Sequence, residues 1–418
     1  MNLDEMILVS IDDHVIEPRD MFDAHIPAKY RDEAPKIVMD DQGIEKWWFQ
    51  GVASASTGLN AVVGWPKEEW GMDPTTYAEM RPGAYDIDER VRDMNRNGIL
   101  ASMCFPSFVG FSGGYFQRSA DKDLALVMTQ AYNDWHIDEF AASHPGRFIP
   151  LAIPPVWDPQ VLAAEVRRIA KKGCGAITMP ELPHLLGLPS YHDTPYWDPF
   201  FRAVSEENVV VCLHIGQGFA AINSAPDVPI DNLMILSTQI STLAAQDLLW
   251  GAALRNYPDL KIAWSEAGIG WIPFYLDRCD RHYSNQKWLG HDFKGKLPSE
   301  VFREHSLACY VTDPSALKIR HDIGIDIIAW ECDYPHSDSI FPDAPEFVLA
   351  ELAGASVPDG EIHQITWQNS CRFFDWEPFA VVPREKATAS ALRALAEDVD
   401  TTTRSKLEWR QRYAAAVG

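Results

Sequence analysis

Met6–Pro18 reads MILVSIDDHVIEP. Its first half is a branched apolar run of strand length, and its second half abruptly presents two carboxylates and an imidazole. Side chains alternate along an extended backbone, so a strand ending in Asp12-Asp13-His14 sends Asp12 and His14 to the same side. One element thereby delivers a pair of metal-type ligands. A surface turn after a buried strand would explain the same residues. What favours the first reading is repetition, because later stretches also consist of a short apolar run with a ligand-type residue where the run stops.

Strand candidates lie near Met6, Leu100, Phe148, Ala176, Val209, Leu260, Leu307 and Ile325, nearly all separated by a helical pattern. Eight such units are the pattern of a closed parallel barrel, the TIM (β/α)8 architecture. No glycine-rich phosphate loop follows the first strand, which counts against a doubly wound open sheet. Lys36 to Phe49 reads as a hairpin turning at Asp41-Gln42-Gly43, inside a loop-rich insertion at 35–84. Asn232 to Asn256 reads as one long, largely apolar helix and Phe148 to Ile153 as a strand. The barrel is expected to span residues 1–376, and 377–418 to form a C-terminal helical extension.

In such a barrel the working residues stand at the carboxyl ends of strands. Asp12 and His14 follow the first strand, His214 the fifth, Glu266 the sixth and Asp333 the eighth. Singly, His214 reads as a core histidine, Glu266 as a helix-capping carboxylate and Asp333 as an Asx turn before Tyr334-Pro335. Together they predict one mouth. His and Asp ligands at an open mouth imply a divalent transition metal with a free position for water or substrate.

The chain has 418 residues, with 36 Lys+Arg against 60 Asp+Glu and a formal net charge of -24. So acidic a surface repels nucleic acid and anionic membranes and leaves a small molecule as the expected partner. Seven scattered cysteines, mostly within apolar runs, read as buried thiols of a reducing compartment. No basic-then-apolar leader precedes Met6 and no apolar run reaches spanning length, so a soluble cytoplasmic protein is expected. The 15 Trp and the apolar helices point to a homo- or hetero-oligomer.

SIDDHVIEP (Ser10–Pro18), LHIG (Leu213–Gly216), WSEAGIGWIP (Trp264–Pro273) and ECDYPHSD (Glu331–Asp338), in this order, resemble the amidohydrolase-related family. The likeness is to the metal-dependent branch that includes aminocarboxymuconate semialdehyde decarboxylase and resorcylate decarboxylase, and it covers about Val9 to Trp376. The resemblance implies a distorted TIM barrel whose metal is held by Asp12, His14, His214 and Asp333. Characterised decarboxylases of the family usually carry a catalytic histidine after the sixth strand, where this chain has Glu266. Many relatives have His or Glu at the position of Asp12. At the fourth-strand end stands Met179-Pro180-Glu181, so no lysine is available for carbamylation. A His-to-Glu change adds a hard oxygen ligand, which favours manganese or iron over zinc. Glu266, with His336 or Glu17, can then hold a second ion; His336 reads equally as a partner orienting Asp333, and Glu17 as a loop salt bridge with Arg19 or a neighbour.

The expected activity is a metal-dependent hydrolase or decarboxylase of a small organic acid, using Zn, Mn or Fe, with Asp333, Glu266 and His214 in catalysis. A dinuclear Fe/Mn oxygen-dependent hydroxylase is the alternative reaction class. A non-catalytic partner subunit is the other, which the complete ligand set disfavours.

Overall fold

The computed structural model describes residues 1–71, 73–216, 225 and 227–417. It comprises two compact units, Met1–Ile153 with Glu331–Leu349 and Glu377–Gly418, and Pro154–Trp330 with Ala350–Trp376.

In the first unit β1 (Val9–His14) is buried along its whole length. The insertion folds as the expected hairpin, β2 (Lys36–Met39) antiparallel to β3 (Glu45–Phe49), with the short β4 (Val52–Ala53) on its other edge. β5 (Ala101–Phe105) pairs in parallel with β1 through Val9↔Ala101 and Ser10↔Ser102. The register then shifts, and pairing resumes at Asp13↔Cys104 and His14↔Phe105. Such an irregularity re-aims side chains, and here it lies just where the ligand-type residues begin. The C-terminal tail forms helices Ala389–Arg393 and Lys406–Val417, and Trp409 of the second packs on Val62 and Trp65 of the insertion.

The second unit is built on a five-stranded parallel sheet: β6 (Ala176–Met179), β7 (Val210–His214), β8 (Ile262–Ser265), β9 (Ser306–Tyr310) and β10 (Ile328–Trp330). Strand order follows chain order. All five are fully buried, which is why they read as unbroken apolar runs rather than as alternating ones. Helix Pro159–Lys171 leads into β6, and helices such as Thr194–Glu206, Gln239–Trp250 and Trp271–Asn285 make the crossovers between strands that parallel pairing requires. Asp158 starts helix Pro159–Lys171 by accepting from Gln160 N and Val161 N.

Three expectations need correction. Phe148–Ile153 is not a regular strand: it makes a single parallel bridge, Ser102↔Phe148. Its far end is held by a side chain, since Asn133 Nδ2 donates to Ile153 O (3.0 Å) and Ile153 N donates to Asn133 Oδ1 (2.8 Å). An amide thus does there what a neighbouring strand would do. The long helix over 232–256 is three pieces, Ile230–Leu236, Gln239–Trp250 and Ala253–Asn256, with Ala252 at φ +77° between the last two. Pro314 to Ile323 likewise reads in the sequence as one helix and is two, Pro314–Leu317 and Arg320–Ile323. The other seven expected strands form regular parallel ladders among the described residues. No described helix is long and apolar enough to cross a membrane.

Candidate metal centre

β1 and the segment after β10 are laced together residue by residue in the first unit. Cys332 N donates to Ser10 Oγ (2.8 Å), Asp333 N to Asp12 O (2.9 Å) and His14 N to Tyr334 O (2.7 Å). Asp13 closes the lacing, accepting from Tyr334 N (2.9 Å) and Ser10 Oγ (3.1 Å), and also from Ser102 Oγ on β5. Burial pushes the Asp13 carboxyl up to about 6, against the opposing pull of the Arg90 guanidinium and of these hydrogen bonds. This carboxylate works on the frame, whereas its neighbours on either side face the other way.

Asp12, His14 and Asp333 are at most 1% exposed and His336 is 4% exposed. His14 Nε2 lies 3.2 Å from Asp333 Oδ1 and 3.6 Å from Asp12 Oδ1. His336 Nδ1 is 2.9 Å from the same Asp333 oxygen, and its ring stacks on His14 with centroids 3.7 Å apart. One ligand atom each from His14, Asp333 and His336 fall within 4.8 Å of one another, a spacing that suits shared coordination of one ion. Two imidazoles and carboxylates in so dry a place are the donor chemistry of a divalent transition ion. Asp333 adopts φ +58°, a conformation uncommon outside glycine and of the kind that gathers at functional sites.

The second unit carries its own polar cluster at strand ends. His214 closes β7, 1% exposed, and its Nδ1 bonds the Ile215 carbonyl. That bond makes Nδ1 the protonated nitrogen and leaves Nε2 as the lone-pair atom. Glu266 Oε2 lies 3.2 Å from Nε2. Two acceptors that close require a proton or a cation between them. Glu266 follows β8 directly, again at positive φ (+57°). Glu181, two residues past β6, is fully buried and meets Ser241 Oγ at 3.4 Å. Burial first, and then the charge of Glu266, raises its carboxyl well above the ordinary carboxylate range.

Glu17 has a different occupation from either of those considered in the sequence. Its carboxylate accepts from Ser107 N (2.8 Å), Phe108 N (3.1 Å) and Tyr132 Oη (3.3 Å), holding the loop after β5. That loop brings Phe111 to 5.0 Å from the His14 ring, centroid to centroid. Trp47, Phe108 and Phe116 pack in an aromatic cluster with Phe22, and Trp271 packs against Trp264 and Phe302. Trp48 is 36% exposed on the hairpin. The sequence also points to 217–231 as a stretch that shapes the pocket, and of it 217–224 and 226 lie outside the described residues.

Burial raises the Glu17 carboxyl from 4.5 to about 7, opposed by the two backbone donors. A carboxyl with a folded-state value above its unfolded one stabilises most below about pH 4.5 and loses that contribution as pH rises through 7, about 3 kcal/mol in all. In chelator-treated protein the urea midpoint is therefore expected to fall between pH 5 and 8. Glu17→Gln should remove much of that slope; an unchanged slope in the variant would reject the assignment.

The residues that the sequence does not single out sit behind the candidate ligands. Asp93, on helix Ile87–Arg96, receives both Arg81 Nε and an Arg81 terminal nitrogen at 2.6 Å, and also Tyr334 Oη at 2.6 Å. Gly83 leaves room for this group, since a Cβ there would stand 2.3 Å from Asp93 Oδ2 and 2.6 Å from Tyr334 Oη. Gly83→Ala is accordingly expected to cost about 1–3 kcal/mol by overpacking. Calorimetry should show a lowered melting temperature; a wild-type value would mean that the network yields freely.

Residues 22–376 match the model of the family described as amidohydrolase. Among curated proteins, the gamma-resorcylate decarboxylase of Polaromonas sp. (strain JS666 / ATCC BAA-500) is 24% identical over 337 residues, 77% of this chain and 95% of that one. Among solved structures, an amidohydrolase from Mycobacterium avium subsp. paratuberculosis K-10 aligns with a TM-score of 0.68 at 18% identity, covering 88% of this chain and 99% of the other. A dihydroxybenzoic acid decarboxylase from Polaromonas sp. JS666, solved with bound manganese and the inhibitor 2-nitroresorcinol, aligns with a TM-score of 0.56 at 22% identity, covering 74% and 90%.

Proposed function

The chain belongs to the amidohydrolase family, and from that premise we propose that it is a metal-dependent hydrolase or decarboxylase of a small organic acid, built as a distorted TIM barrel. The observation that carries the reading is the buried meeting of His14, Asp333 and His336, with Asp12 beside them. We place Asp12, His14, His214 and Asp333 as the metal ligands. His214 enters on its strand-end position and on its lone-pair Nε2. Manganese is the first ion to test, because the donor set is rich in carboxylate oxygen and a similar decarboxylase holds manganese.

When bound, such an ion polarises a carboxylate, a carbonyl or a water. The chain's own residues supply the proton handling. Asp333, with Oδ1 between two imidazoles, takes a proton from an attacking water or returns one to the carbon that loses CO2. Glu266, 23% exposed in its side chain, is the second proton-transfer group or a ligand to a second ion with His336. Phe111, beside His14, offers an apolar wall to a flat substrate.

The deciding experiment supplies manganese to chelator-treated protein and follows CO2 release from a panel of hydroxybenzoates and related acids, with ester and amide hydrolysis in parallel. Turnover of one class that depends on the added ion is expected. Equal turnover without metal would overturn the proposal, and two iron or manganese ions with oxygen consumption would move it to the dinuclear hydroxylase.

A further inference from the structure

A buried arginine behind the proposed ligands has no part in the chemistry described above. Arg90 is 1% exposed on the inner face of helix Ile87–Arg96, whose first turn is capped by Asp86. Its guanidinium charge is felt by the buried Asp13 carboxylate, while its hydrogen bonds go elsewhere. Nε donates to Gly83 O (2.6 Å), one terminal nitrogen donates to the backbone carbonyl of His14, and the other lies 3.6 Å from Cys104 Sγ. The plane sits over the Tyr334 ring at 4.3 Å from its centroid. Tyr334 is the residue after Asp333, and its hydroxyl is held by Asp93, one turn further along the same helix. Asn97, a turn beyond that, reaches Cys332 Sγ at 3.5 Å.

Residues 90, 93 and 97 share one helical face. That face touches the ligand-bearing end of β1 at one point and the 332–334 segment at three. Putting a charge so deep is costly even with the buried Asp13 carboxylate near enough to feel its pull, and a packing role does not call for it, since leucine would fill the space. What a guanidinium adds is a flat fork that bonds two carbonyls while stacking on an aromatic ring. Lysine offers neither the plane nor the fork.

We propose that Arg90 is a positioning residue, clamping the His14 carbonyl at its edge and the Tyr334 ring beneath it so that His14 and Asp333 are held ready for the ion before it arrives. The inference rests on the metal-centre reading above. It adds that the affinity of the site is set from behind, by helix Ile87–Arg96, as well as by the ligands themselves.

Manganese titration of the chelator-treated full chain, by calorimetry and by the Mn(II) electron paramagnetic resonance spectrum, tests it with three variants. Arg90→Met should bind manganese about 10- to 100-fold more weakly with a broadened spectrum, and Arg90→Lys should recover only part of that loss. Arg147→Met is the control. Arg147 is also buried and also bonds two carbonyls, Leu100 O (2.5 Å) and Ile99 O (3.1 Å), but at the other end of β5. That variant should melt lower yet keep wild-type manganese affinity. Wild-type affinity in folded Arg90→Met, or an equal loss in Arg147→Met, would overturn the proposal. Should Arg90→Met not fold, Arg90→Lys decides alone: full manganese affinity there rejects the clamp. If the wild-type chain itself takes up no manganese, zinc or iron, it is the metal-centre reading that fails.

Discussion

Replacing His14 with alanine leaves a chain that no longer retains a divalent ion. His14 is fully buried, its Nε2 is 3.2 Å from Asp333 and 3.6 Å from Asp12, and its ring stacks on His336. Removing it takes away the imidazole around which the other donors gather. It also leaves carboxylates close together in a dry pocket, where an ion then has fewer ligands to repay its lost hydration. Supporting residues around metal sites typically cost 10- to 100-fold in affinity, so loss of a ligand should exceed that, roughly 10³-fold or more. Elemental analysis after gel filtration should show metal well below one equivalent, and turnover should fall with it. A His14→Ala chain that keeps metal and activity would remove His14 from the site.

Asp93→Ala is the second large effect, and it acts on stability. Asp93 and Arg81 are 3% and 6% exposed and joined by two bonds of 2.6 Å. Deleting the acid leaves the arginine buried without its counter-charge, typically about 3–5 kcal/mol. The Tyr334 hydroxyl loses its acceptor as well. Scanning calorimetry should record a melting temperature lower by roughly 3–6 °C. Asp93→Asn should lie between, keeping an acceptor but no charge. A melting temperature equal to that of the parent would show that Arg81 finds another partner, its present bond to Asp400 O (3.0 Å) being the nearest.

The ligand-bearing strand was readable because it depends on short-range facts. A run that is apolar and then polar states both that it is buried and where burial stops, and Met6–Pro18 says this within a few residues. The same logic located β6 to β9 within a residue or two. It failed at Phe148–Ile153, because hydrophobicity cannot tell a strand paired by backbone from a segment held by Asn133. It failed again over 232–256, where composition stays apolar across breaks that only the backbone angle of Ala252 reveals.

Of the candidate site, the residues at strand ends were legible and their support was not. Arg90 and Asp93 look like ordinary charged positions on a surface helix, since the sequence carries no mark of a partner 76 residues away in His14 or 241 away in Tyr334. A signal did exist: in IDERVRDMNR the positions of Arg90 and Asp93 fall on the same face as Val91 and Met94, where solvent-facing charges do not belong. Glu17 reads in the sequence either as a second-ion ligand or as a loop salt bridge with Arg19 or a neighbour, while its oxygens are bound to the Ser107 and Phe108 amides, partners that nearness in sequence does not reveal.

Diffraction from crystals soaked in manganese, recorded on both sides of the manganese absorption edge, examines the metal centre without needing a substrate. The expected result is an anomalous peak about 2.0–2.5 Å from His14 Nε2 and from an Asp333 carboxylate oxygen. Occupied manganese elsewhere in the chain, with no peak beside those two residues, would contradict the assignment.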